Sequence, residues 1–158
     1  MLLPGAQRLE WRHLSCGGAN TVIPSDKPSP MVRAQRIRNR IIEYLALASS
    51  YEKQREYERS APIAHVPSEV ICQWEDWVDD KRLNEYAEPV FSPEEQATLR
   101  DFHEIWNSVA DDTPKTMPPL SDLIGTEPWE RLRQRAELTL KIFEARGRFN
   151  EEWDAFPK

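Results

Sequence analysis

From Met31 onward the apolar side chains recur at three- and four-residue steps, and that spacing limits what the chain can become. Met31, Ala34, Ile37, Ile41, Tyr44, Leu45, Ala48 and Tyr51 fall on one stripe of an α-helix. A strand would require alternation, which is absent here. The same pitch returns in Val70, Ile71, Trp74, Trp77 and Val78, in Leu99, Phe102, Trp106 and Val109, and in Trp129, Leu132, Ala136, Leu140 and Phe143. Each stripe is one face of an amphipathic helix and needs a partner to cover it.

Local signals set the helix ends. Ser60-Ala61-Pro62 stops a first helix that starts near Met31, and Pro67 suits the first turn of a second. Ser92-Pro93-Glu94-Glu95 is a capping box: the Ser92 hydroxyl accepts from the Glu95 amide, and the Glu95 carboxylate reaches back. Asp111-Asp112-Thr113-Pro114 ends that third helix, and a short helical turn is expected at Ser121–Ile124. Thr126 caps a fourth helix, which Gly147 stops. The fold expected is therefore all-α, a single-domain bundle of about four amphipathic helices spanning residues 31–158.

Residues 1–30 read differently. Gly17-Gly18 and Pro24, Pro28 and Pro30 break any period, so this stretch is expected to be a poorly structured basic tail or an upstream extension with Met31 as the natural start. A short docked strand at Leu9, Trp11 and Leu14 is the alternative. No apolar run reaches the length of a membrane span or a signal peptide. Cys16 and Cys72 have no metal-site or framework spacing, so two free thiols and a reducing cytoplasm are expected. On the helical wheel Cys72 falls on the polar side, where Glu69 and Asp76 disfavour a thiolate.

Charge is distributed unevenly. The chain carries net -6, yet residues 1–40 hold seven bases against two acids, which leaves -11 for the rest. Between Pro67 and Asp112 thirteen acids face three bases. An acidic helical face built from Glu69, Asp76, Asp79, Asp80, Asp101 and Glu104 is the leading candidate site, and its natural counterpart is a basic protein partner. Small acidic immunity or antitoxin proteins mask basic nuclease surfaces by the same physics; the analogy is one of charge, with no motif behind it. Two rivals follow from the same residues. Arg33, Arg36, Arg38 and Arg40 would let the first helix contact nucleic acid phosphates, against the acidity of the remainder. Asp76, Asp79 and Asp80 would let a divalent cation support an enzyme, although carboxylates opposite an apolar stripe are ordinarily a solvated face.

Catalytic constellations are not legible. His13, His65 and His103 lack a second ligand at metal-site spacing, and five glycines form neither a P-loop nor a Gly-x-Gly-x-x-Gly turn, so no cofactor is expected. Trp74, Trp77, Trp106 and Trp129 belong to the core stripes. Leu138 and Ile142 give the fourth helix a second apolar side, which Trp153 would cover by folding back or a homodimer would bury.

Overall fold

The computed structural model describes residues 27–157. Those residues are all-helical, with seven helices in place of the expected four: α1 (Pro30–Ala48), α2 (Tyr51–Ser60), α3 (Val66–Trp77), α4 (Asp80–Glu85), α5 (Pro93–Asp112), α6 (Leu120–Leu123) and α7 (Glu127–Glu144). No strand occurs among the described residues. The tail expected at residues 1–30, and the strand considered near Trp11, lie outside them except for residues 27–30, and there Pro30 already opens α1.

The extra helices have local causes. The first expected helix divides because the Ser50 hydroxyl accepts from the Lys53 amide, starting α2 afresh after α1 ends at Ala48. Asp79 restarts the chain after Val78 in the same way, accepting from the Arg82 amide at 2.7 Å to cap α4. The capping box at Ser92 forms in both directions, and Gly147 takes a left-handed φ of 72° just past α7.

The four long helices form a ring. The α7 helix lies against α5 on one side and α1 on the other, and α1 also packs on α3. Aromatic side chains close the ring between α3 and α5. Trp74 meets Phe102 edge-on at 4.6 Å between centroids and Tyr44 at 5.2 Å. The indole N–H groups find acceptors, as burial demands: Trp106 donates to Ile71 O, Trp129 to Gln54 Oε1, and Trp74 to Nδ1 of His103. Gln54 in turn donates to Leu47 O and Ala48 O, satisfying the last carbonyls of α1 from α2. Trp74, Trp106 and Trp129 are fully enclosed, while Trp77 is half-buried.

Candidate functional site

The acidic residues gather around the corner made by α3, α4 and the middle of α5. Glu69 and Asp76 sit two turns apart on the outer side of α3, and Gln73 between them donates to Glu69 at 3.0 Å. Asp76 is exposed overall, but desolvation of its carboxyl, reinforced by the negative charge of Glu69 and only partly opposed by Arg82, pushes its pKa above the ordinary value. Arg82 supplies the opposing positive charge. It donates to Glu75 O and Asp76 O and lies 3.6 Å from Asp79, so its charge is divided among several acceptors.

Asp80, its side chain 97% exposed, stands 3.2 Å from Nε2 of His103. Because Nδ1 of that imidazole accepts from Trp74, the neutral ring must carry its proton on Nε2 and present it to Asp80. The contact ties the start of α4 to the middle of α5, where the exposed Glu104 follows His103 in the chain. Asp101 is elsewhere: Arg135 of α7 binds it at 3.0 Å and draws it to the α5–α7 flank. Of the six carboxylates expected on one face, five therefore border the corner, and Asp101 belongs to a different ion-pair ladder that also holds Arg131 and Asp112.

The basic segment is largely engaged within the fold. Arg38 has 0% exposure. Its guanidinium bonds Glu95 at 2.6 Å, Phe143 O at 3.2 Å and Gly147 O, and stacks over Phe149 at 4.0 Å. Arg36 donates to Glu151 O, and Arg40 pairs with Glu43 and Glu151. Only Arg33 of the four is exposed. The reason lies in the helical pitch: Arg38 is four residues after Ala34 and three before Ile41, on the buried stripe itself. That register was the signal, and charge counting passed over it.

Glu95 is the centre of a group that no local pattern foretold beyond its capping role. Its carboxylate accepts from the Ser92 amide, from Arg38 and from Arg146, and Arg146 also holds Pro89 O and Val90 O. Burial alone would raise its pKa; the Arg146, Arg38 and Ser92 hydrogen bonds outweigh burial and hold it below the ordinary value. The group joins α1, α5 and the end of α7 and serves the fold.

Cys72 departs from expectation. It is 4% exposed, not on an open polar surface, and it is disulfide-bonded, so it offers no thiol for chemistry. Cys16 lies outside the described residues. The expectation of a reducing cytoplasm, which rested on two free thiols, loses that premise. Among the described residues no three His, Cys, Asp or Glu side chains converge to hold a metal ion, which leaves the metal-assisted reading without a site there. Leu138 is 53% exposed, Ile142 half-buried and Trp153 65% exposed. No helix of the described residues is long and apolar enough to cross a membrane. Comparison with protein-family models, curated proteins and solved structures yields no match, so any functional reading rests on the chain's own geometry.

Proposed function

We infer that the α3–α4–α5 corner is a docking face for a basic protein partner, and that the protein acts by binding and not by catalysis. The observation that carries this reading is the repulsion of Glu69 and Asp76 on one side of α3, next to Asp79, where Arg82 serves Asp76 and Asp79. Carboxylates in that state repel one another and hold a local negative field. A lysine or arginine brought by a partner relieves the repulsion, so its binding is favoured where a neutral partner's is not. Asp80 and Glu104 extend the field toward α5 and are exposed for contact.

The test replaces the charges and keeps the shapes. A variant carrying Glu69→Gln, Asp76→Asn, Asp79→Asn, Asp80→Asn and Glu104→Gln retains an Asn cap on α4. Wild type and variant are used as bait in extracts of the source cell at low and high salt. The reading expects a basic protein retained by the wild type at low salt, released by salt and not held by the variant. A partner set unchanged by the five substitutions would refute it.

A further inference from the structure

Beyond α7 the chain doubles back along α1, and the way it is held resembles the binding of a peptide by a receptor. Gln35 and Asn39 are both almost completely buried, and their amides bond only to main chain. Gln35 donates to Asn150 O at 2.7 Å and Trp153 O at 2.9 Å and accepts from the Ala155 amide at 2.9 Å. Asn39 donates to Phe149 O at 2.8 Å and accepts from the Phe149 amide at 3.0 Å. Five bonds thus fix a bent segment through its main chain, and the segment's turn is closed by Asn150, whose Oδ1 accepts from the Glu152 and Trp153 amides. This is how grooves recognise peptide backbone.

Charge supplies the selectivity. No acid occurs on α1 before Glu43, and Arg33, Arg36 and Arg40 lie along this side of the helix. The segment Asn150–Phe156 carries Glu151, Glu152 and Asp154 and no base. Arg40 binds Glu151 at 2.9 Å, Arg36 donates to Glu151 O, and Ser29 at the start of α1 donates to Asp154 at 2.7 Å. Phe149 and Phe156 meet edge-on at 5.2 Å beneath the stacked Arg38 and Arg146. The segment has no helix of its own, and Gly147 with φ 72° joins it to α7.

We propose that this side of α1 is a binding groove for an acidic peptide that bears aromatic residues and takes up the same bent course, and that residues 149–156 are its built-in occupant, which an outside peptide of the same chemistry displaces. It is independent of the acidic corner and opposite to it in charge. A tethered occupant acts at millimolar effective concentration, so the groove stays closed until the tether's grip is weakened.

Two measurements test this. In the wild type, the Phe149 and Ala155 amides should exchange with solvent through a local opening, faster than the amides of α5 and α7; exchange only by global unfolding would overturn the proposal. In the full chain bearing Glu151→Lys and Asp154→Lys, those two amides should lose protection while α5 and α7 keep theirs. A fluorescein-labelled peptide of residues 149–158 should then bind more than about tenfold tighter than to wild type, in a salt-sensitive manner, and adding Gln35→Ala should abolish the gain. Peptide binding no tighter than wild type would overturn the proposal, as would a released face that takes a duplex oligonucleotide in preference to the peptide.

Discussion

Replacing Glu95 by Gln isolates one charge in the middle of the molecule. Glutamine at this position still completes a capping box, so the start of α5 is preserved. What changes is the reception of Arg38 and Arg146. The carboxylate offers lone pairs to donors on every side, from the Ser92 amide and from both guanidinium groups. An amide offers one oxygen and turns a second donor toward donors. Arg38, with 0% exposure, would keep its charge with only the carbonyls of Phe143 and Gly147 to face it. Removing one partner of a buried ion pair typically costs about 3–5 kcal/mol, a large part of the roughly 5–15 kcal/mol that holds a domain together. With a slope of roughly 1–3 kcal/mol per molar urea, the unfolding midpoint followed by tryptophan fluorescence should fall by more than about 1 M at unchanged slope. The double variant Arg38→Met with Glu95→Gln should lose less than the sum of its single variants, because the stranded charge is gone. A loss below about 1 kcal/mol for Glu95→Gln would refute the claim that this ion pair braces the three helices.

Other outcomes follow from the same structure. Glu43, Glu95 and Glu130 all have folded pKa values below 4.5, and Glu130 is held at about 2 by Arg133 and the Tyr51 hydroxyl. Their contributions are therefore intact above about pH 4.5 and are lost as pH falls through each folded value, which urea midpoints taken from about pH 6 to about pH 2 should show. Asp76 has the opposite sign: its folded pKa is raised, so its charge weakens the fold at neutral pH. Asp76→Asn should raise stability there, by less than about 0.5 kcal/mol because solvent screens the site, and the gain should vanish below the unfolded pKa. His103→Phe removes the acceptor of the Trp74 indole N–H, and the orphaned donor should cost about 1–3 kcal/mol in a denaturation curve. Alkylation without prior reduction should leave Cys72 unmodified, and labelling of that residue would contradict its bonded state.

The apolar stripes were legible because each needs only local spacing: Trp74, Leu99, Phe102, Trp106, Trp129 and Phe143 are all enclosed as their pitch implied. So was the capping box, whose partners are three residues apart. The splits at Ser50 and Asp79 were harder, since a serine or aspartate inside a periodic run signals a new helix only if the preceding turn has lost its continuation. Arg38 was placed among the phosphate-contacting arginines, and Gln35 and Asn39 carried no signal at all, because the partners of all three lie more than fifty residues away, where no local pattern reaches. The acidic corner was visible as composition. Its division was not: Arg135 reaches Asp101 across 34 residues, and only the packing of α7 on α5 decides which carboxylates keep company.

The bond from Arg38 to the carbonyl of Gly147 joins residues 109 positions apart. A ribosome delivers α1 long before it delivers that acceptor. A chain interrupted before residue 143 would offer Arg38 the Glu95 carboxylate but neither of the two carbonyls that complete its seat.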